Sequence, residues 1–410
     1  MLKNTGRGLV FDRTDEPCPP PAIVRFTPRG RLLVPLCTTK ADVMELCAAP
    51  GDMLPRAGLL AVSENGDKQV FCPVSGLFEG IEKRRKPGVG LIPCAAIRPD
   101  RFQPVQEGSL PAAVTADAAR IRETARRAAI VDEYDGLPLA QKLSCAPAGT
   151  PVVGDALDDQ PGLFANLSVL HERGEIAAAG LRLAAAAVST PEGACFFAAA
   201  GYFPDGYLRE SYGGFPVRNL SGRYPARVRL GCAVPPLIIG VQALCALARA
   251  VAHGAVQTAC AVAVGGDGVD RPQVLEVSVG TPVSELLAFL DVTGQINRLV
   301  CGGVMTGSIL SPDAPVTPDL RAVTVLRTAY EPKSAPCTGC GACADVCPQN
   351  LAPLYLMQAA QNGKFDRVAK LGAGRCMRCG CCSYVCPAGI DLSAGIAALQ
   401  RAPEVMRCEP

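Results

Sequence analysis

The sequence has little net charge, few histidines and no long uninterrupted apolar run, and each shortage removes a class of function. Forty Lys and Arg stand against 38 Asp and Glu, leaving a formal charge of +2 over 410 residues. A chain so balanced has no broad electrostatic reason to bind nucleic acid. Its one dense basic run, Lys83-Arg84-Arg85-Lys86, lies between a strand-like segment and Pro87-Gly88 and reads as a solvated loop. Of the two histidines, His171 sits in the polar stretch LHERGE and His253 ends an apolar helical pattern. Neither belongs to a Ser-His-acid arrangement, so hydrolytic chemistry is not expected. The longest apolar region, 232–264, is interrupted by Pro235, Pro236, Gln242, Arg249, His253 and Gln257. It falls short of the roughly 20 apolar residues that a membrane span needs. It reads instead as a buried helix over 241–252 and a strand over 258–264. The first seven residues lead into no apolar signal core, so we expect a reducing, cytoplasmic setting, peripheral to a membrane at most.

What is present is hydrophobic bulk, glycine and cysteine. With 49% hydrophobic residues in 410, the chain can bury several cores and divides into more than one domain. We expect a multidomain α/β and α+β protein. Residues 1–30 form a leader, and 31–105 carry short apolar runs broken at Gly51-Asp52 and Ser75-Gly76, the pattern of a small β-sandwich. Residues 106–270 alternate helical and strand-like stretches, opening with ADAARIRETARRAAIV and including the alanine-rich RGEIAAAGLRLAAAAV, an α/β core with tightly packed helices. Residues 271–330 read as a strand, a helix over 283–290 and a further strand ending at Gly302-Gly303. The glycine-rich GGVMTG lacks a following Gly-Lys-Ser/Thr, so its glycines serve turns rather than a phosphate loop. Residues 331–400 form a cysteine-rich module, and 401–410 a tail.

The 21 cysteines are not evenly spread. CTGCGACADVCP begins at Cys337 and CMRCGCCSYVCP at Cys376, the same C-x2-C-x2-C-x3-C-P spelling 39 positions apart. Three thiolates spaced by two residues wrap one face of a [4Fe-4S] cube, and the fourth, followed by proline, turns towards the other cube. The spacing therefore predicts two [4Fe-4S] clusters with crossed ligation. Cys337, Cys340, Cys343 and Cys386 hold one, and Cys376, Cys379, Cys382 and Cys347 the other. Structural zinc is the alternative for C-x2-C pairs, but zinc asks for neither the third cysteine nor the proline, nor their repetition. Cys381 is out of register and is expected to be a packed thiol beside a cluster. Cys47, Cys72, Cys145, Cys245 and Cys301 are scattered singly, most of them as small buried hydrophobes. Between the repeats, Leu354, Met357 and Val368 offer an apolar helical face that could dock the module on the rest.

This order of parts resembles the RnfC family, the peripheral iron-sulfur subunit of a bacterial ion-pumping electron-transport complex, with its soluble relatives associated with proline reductase and cobalamin reduction. Gly280-Thr281-Pro282 and Gly302-Gly303-Val304-Met305-Thr306-Gly307 look like the family's soluble-ligand-binding β-grasp (SLBB) unit. Gly51-Asp52 and Val74-Ser75-Gly76 look like its N-terminal lipoyl-like sandwich. The resemblance implies electron transfer between a protein donor and a protein acceptor, either Rnf complex subunits or a proline-reductase-type enzyme. Members that bind FMN and NADH carry a Gly-Gly-Ala-Gly-Phe-Pro-Thr-x-x-Lys loop after an Ile-Val pair. Here Ile130-Val131 is followed by DEYDGLPLAQKL, which keeps only Gly136, Pro138 and Lys142 as flavin-loop remnants. Carboxylates at Asp132, Glu133 and Asp135 would repel phosphate, and the family's Glu-Cys-Glu-Pro appears as Asp158-Asp159-Gln160-Pro161. An electron relay is therefore the favoured function. An NADH-oxidising FMN protein and a corrinoid-binding module are the alternatives.

Overall fold

The computed structural model describes residues 7–11, 21–37, 44–101, 117–190, 193–199, 206–220, 222–229, 235–328 and 335–400. Its architecture is mixed α/β, with four sheets and a C-terminal module of short helices. None of the described helices is long and apolar enough to cross a membrane.

Two antiparallel sheets, one of four strands and one of three, face each other between residues 32 and 99. Leu32, Leu60, Phe78 and Ile97 are buried between them. The long hairpin pairs Gly76–Lys86 with Gly90–Pro99, and the register shifts between Phe78 and Gly80. The basic run expected in a loop lies inside this hairpin, because residues 83–86 complete the first strand. Lys86 is buried and ion-paired with Asp319 at 3.2 Å. Alternation explains the difference, since period two turns Arg85 outward and brings Lys86 back inside.

The central layer is a five-stranded, mainly parallel sheet. Val152–Ala156 pairs in parallel with Cys195–Ala198 on one side and with Leu237–Gly240 on the other. Chain direction therefore diverges at the carboxyl end of Val152–Ala156, the position where α/β sheets leave a crevice. Helices Ala165–Ala187 and Val241–His253 pack together over this sheet. Their small residues Ala177, Ala184, Ala243 and Ala250 are buried at the contact, as alanine richness predicts. Ahead of them, Asp117 caps the helix Ala118–Arg127, accepting from the Arg120 amide at 2.8 Å.

A six-stranded mixed sheet follows, with Val262, Leu275, Leu299 and Val323 packed beneath the helix Val283–Phe289. Two of its strands come from regions that sequence pattern assigns elsewhere. Ile23–Arg25, from the expected leader, pairs in parallel with Gln273–Ser278. Ala259–Gly265, from the expected α/β core, pairs with the same strand in antiparallel fashion.

The cysteine-rich module has its own core of Leu351, Leu356, Val368 and Ile396. Of the three residues expected to dock the module, two turn inward instead. Val368 is buried inside the module and Met357 packs against that same core, whereas Leu354 is half-buried outside it. Docking is done by residues 7–9 and Tyr224. The Gly8 amide donates to the Val346 carbonyl at 3.0 Å, Leu9 bridges Tyr224, and the Arg7 guanidinium donates to the Ala344 carbonyl at 2.9 Å. Tyr224 Oη donates to the Cys379 carbonyl at 2.8 Å.

A thiol-lined cavity and a closed crevice

The two cysteine repeats share backbone as well as spelling. Gly341 and Gly380 take the same left-handed conformation, φ 77° and 79° with ψ −10° in both, and each starts a four-residue helix, Ala342–Asp345 and Cys381–Tyr384. Two residues earlier Gly339 (φ 72°) corresponds to Arg378 (φ 53°), and after the last cysteine Asn350 (φ 55°) corresponds to Gly389 (φ 64°). Left-handed residues favour glycine because a Cβ crowds the following carbonyl. Arg378 and Asn350 adopt the same turn without glycine's freedom, so loop shape, not residue identity, is what repeats. Such turns aim amides at sulfur: the Gly339 amide lies 3.4 Å from Cys337 Sγ and the Leu351 amide 3.4 Å from Cys347 Sγ.

Spatially, the structure brings Cys347 of the first repeat to Cys376, Cys379 and Cys382 of the second. All four line one small cavity, together with Pro348, Gly380 and Cys381. Their mutual proximity shows in their acidities. Burial pushes the Cys382 thiol up to about 12, and the neighbouring charges of Cys379, Cys376 and Cys347 add to it. Cys376 is likewise raised, by burial first, while Arg378 opposes the shift. Cys379 is lowered by its hydrogen bond with the Cys381 thiol. The remaining cysteines of the two repeats do not line this cavity. Cys337 and Cys340 are exposed, and Cys343 and Cys386 are half-buried. The Ala335 amide donates to the Ala388 carbonyl at 2.8 Å, laying the approach to Cys337 beside the segment that follows Cys386.

Among the described residues, no three His, Cys, Asp or Glu side chains converge on a single-ion position. The thiols ring a space instead, and the donor set is all sulfur, with amides directed at it. These residues fit an iron-sulfur cube. Cys381 is buried at the wall of this cavity. Among the scattered cysteines, Cys72 and Cys245 are buried and Cys301 is half-buried, whereas Cys47 and Cys145 are exposed.

The crevice at the carboxyl end of the parallel sheet is built differently, because its lysine and its acidic loop are engaged from within the chain, although Asp155 Oδ1 and Arg227 Nε are buried there without a hydrogen-bond partner. Lys142 donates to Asp132, to Asp135 at 2.8 Å and to the Ile238 carbonyl at 2.6 Å. Burial disfavours its charge, but the two carboxylates more than offset this and raise its pKa. Glu133 reaches the start of the helix Val241–His253, accepting from the Gln242 amide at 2.7 Å and the Ala243 amide at 3.0 Å. It occupies the place a bound anion would take. Gly240 is needed beneath it, since a Cβ there would stand 2.1 Å from the carboxyl. Burial raises the pKa of both Asp132 and Glu133.

The neighbouring stretch that departs from Glu-Cys-Glu-Pro is also engaged. Asp158 accepts from the Leu167 amide at 2.9 Å and Asp159 from the Ala226 amide at 2.7 Å. The Gln160 amide group donates to Thr306 Oγ1 at 2.9 Å, while its oxygen accepts from the Met305 amide at 3.1 Å. Asp155 holds Arg227 at 2.8 Å, and that guanidinium lies 4.3 Å over the Tyr134 ring. Gly136 turns at φ 75° against Asp319, and Pro138 precedes the helix Leu139–Cys145. The three flavin-loop remnants thus carry structural roles. With Lys142 paired and the amides of Gln242 and Ala243 covered, neither group is free to hold a phosphate of FMN or NADH. Sequence pattern located the carboxylates but not the helix-capping role of Glu133, because its partner amides lie more than a hundred residues away. Both histidines are ordinary: His171 Nδ1 lies 2.6 Å from the Tyr207 carbonyl, and His253 ends its helix.

Comparison with known proteins bears on the cysteine-rich module first. Residues 336–390 match the 4Fe-4S dicluster domain family. The RnfC protein of the ion-translocating oxidoreductase complex of Rhodobacter capsulatus is 38% identical over 127 residues, which cover 30% of this chain and 24% of the relative. Its counterpart in Pseudomonas aeruginosa is 35% identical over 147 residues, 34% of this chain and 19% of that protein. The Methanosarcina acetivorans counterpart is 31% identical over 156 residues, 36% and 34%. The similarity therefore spans about a third or less of these relatives' length. An NAD+-reducing [NiFe]-hydrogenase in the H2-reduced state superposes with a TM-score of 0.42 at 16% identity, covering 72% of this chain and 63% of that one.

Proposed function

We propose that this chain, which resembles the RnfC proteins of ion-translocating oxidoreductase complexes, is an iron-sulfur electron-transfer protein with two [4Fe-4S] clusters and no flavin. The observation that carries the reading is the single cavity shared by Cys347, Cys376, Cys379 and Cys382. A thiol from the first repeat stands with three from the second, the crossed pattern of two-cluster ferredoxins. We assign the second cluster to Cys337, Cys340, Cys343 and Cys386.

When bound, the clusters supply one-electron chemistry. The chain's own residues set where that chemistry is accessible. Cys337 and Cys340 are exposed and face outward, whereas Cys347 and Cys382 are buried. The inner site lies beside the core, where Tyr224 bonds the Cys379 carbonyl and the Met305 carbonyl would stand 2.5 Å from a Cβ on Gly380. Electrons would pass between the outer cluster and a docked protein, with the inner cluster buffered from solvent. A protein donor and acceptor are the expected partners, either Rnf complex subunits or a proline-reductase-type enzyme, with the chain peripheral to a membrane or free in the cytoplasm. Finer domain assignments, a lipoyl-like sandwich and a β-grasp unit, rest on the two opposed sheets of the first domain and on the helix laid over the six-stranded sheet.

The test is anaerobic reconstitution with iron, sulfide and flavin quantified together, followed by dithionite reduction watched by electron paramagnetic resonance. About eight irons per chain, two interacting reduced centres and no flavin are expected. A flavin spectrum bleached by NADH would replace this reading with the flavoprotein alternative.

A further inference from the structure

A cavity of about 450 Å³ lies where three parts of the fold meet, lined by none of the cysteines of the two repeats and by neither Lys142 nor its carboxylate partners. Four arginines reach it: Arg25 from the strand Ile23–Arg25, Arg56 from the sandwich, Arg173 from the helix Ala165–Ala187 and Arg249 from the helix Val241–His253. One carboxylate lines it, Glu276, and that is committed to Arg173 at 2.7 Å. The lining therefore carries three positive charges in excess, more than the +2 net charge of the whole chain. Among the described residues, Arg25, Arg56 and Arg249 have no ion-pair partner. Arg56 shows the consequence: burial lowers its pKa and the nearby Arg25 guanidinium lowers it further, and the Glu276 carboxylate, already paired with Arg173, offsets this only in part. Folding does not gather uncompensated guanidiniums without cost, because like charges in a partly buried space repel strongly. This differs from the crevice, where Lys142 is held by Asp132 and Asp135 and Arg227 by Asp155.

The rest of the wall indicates what relieves the excess. Thr258 and Ser278 offer hydroxyl groups, while Phe26, Val74 and Val169 provide an apolar side. The volume lies within the range of small-molecule sites. We propose that this interdomain cavity binds a small organic oxyanion of at least two negative charges, held by Arg25, Arg56 and Arg249 with its apolar portion against Phe26 and Val169. Guanidinium forks grip phosphate and carboxylate oxygens alike, so a phosphate ester and a polycarboxylate share the required chemistry. Because the ligand would contact the sandwich, the α/β layer and the six-stranded sheet together, its binding would also clamp their relative placement.

The test is calorimetric titration of the full reconstituted chain with inorganic pyrophosphate and, separately, with citrate, at low and moderate salt. Saturable one-site binding that weakens with salt is expected, and the stronger probe identifies the phosphate or the carboxylate class. Arg56→Gln and Arg249→Gln should each weaken binding about tenfold or more. Both should leave the unliganded melting temperature unchanged or higher, because each removes a repelling charge. The salt dependence of the unaltered chain tests the proposal even if a variant folds poorly. Absence of binding by both probes at millimolar concentration would overturn it, as would binding unaffected by either variant.

Discussion

The carboxyl-end crevice and the cysteine cavity concentrate ionisable groups to a similar degree, and they treat them in opposite ways. In the crevice, Lys142 meets Asp132 and Asp135, Arg227 meets Asp155, and Glu133 meets two helix amides. In the cavity, Cys376, Cys379, Cys382 and Cys347 meet one another, and these like neighbours help to raise the pKa of Cys376 and Cys382. A buried lysine and acidic loop whose partners come from within the chain give rigidity, and leave little for a ligand to gain at those groups. A set of thiols gathered round one space with no carboxylate or histidine among them is completed by something from outside. The difference separates a site that has become structure from one built to hold a cofactor.

The strongest way to break this contrast is to remove one thiol. Cys347→Ala should abolish the inner cluster, the one wrapped by the second repeat, and leave the cluster of Cys337, Cys340 and Cys343 in place. Iron should fall from about eight to about four per chain, and the magnetic interaction between reduced centres should vanish. Loss of the cluster on the first repeat instead would show that ligation is not crossed. Cys386→Ala should give the mirror result. Cys381→Ala, at the cavity wall but outside the assigned set, should keep the full iron content.

The crevice is tested next by unpairing a charge. Asp132 is fully buried and shares the Lys142 amine with Asp135. Lys142→Met would leave that carboxylate uncompensated, costing about 3–5 kcal/mol in unfolding free energy. The double variant Lys142→Met, Asp132→Asn should recover much of the loss, because replacing both members removes the orphaned charge. If Lys142 were a phosphate ligand and not a structural cation, the single variant would cost little stability.

A subtler test is acid-base. Burial, and then the Asp132 charge, lift Glu133 from its ordinary 4.5 to about 8. An acid whose pKa is higher in the folded state gives stability that is complete below its unfolded pKa and lost as pH rises through the folded one. Between about pH 4.5 and pH 8, this part of the fold should therefore weaken as pH rises. Glu133→Gln keeps the size of the side chain and one acceptor for the helix amides, and it should flatten that slope. Urea unfolding followed at about pH 6 and about pH 8 compares the two. An equal slope in both chains would mean that the helix amides, and not burial, control the group.

The contrast was only half visible in the sequence. The repeated cysteine loops were legible because their spacing is local: four cysteines and a closing proline encode a loop whose shape Gly341 and Gly380 then repeat. The helices over 118–127, 241–253 and 283–289 were legible for the same reason, since periodicity and caps are local signals. What escaped depends on distant partners. Nothing near Ile23 announces that it pairs with Val274, so an apparent leader became a sheet strand. Lys86 reads as one of four basic residues until Asp319 is brought to it. The carboxylates at 132–135 stand out in the sequence as a departure from a phosphate loop. Their structural use was hidden, because the amides of Gly240, Gln242 and Ala243 arrive from the far end of the domain.

The smallest effect concerns the seam between the two regions. Tyr224 is buried there, packs at a tilt against Phe11 with ring centroids 5.4 Å apart, and donates its hydroxyl to the Cys379 carbonyl. Tyr224→Phe preserves the ring and removes only that hydrogen bond, so it should cost about 1 kcal/mol. The loss should appear as earlier release of the cysteine-rich module, read as faster proteolytic separation of that module from the six-stranded sheet, with total iron unchanged. The bonded carbonyl belongs to an assigned ligand of the inner cluster, so the inner site should also become more open to solvent while the outer one does not. A change confined to the inner centre's spectrum would show that the core beneath Tyr224 supports the thiol cavity. An identical change in both centres would show that the module is indifferent to what it rests on.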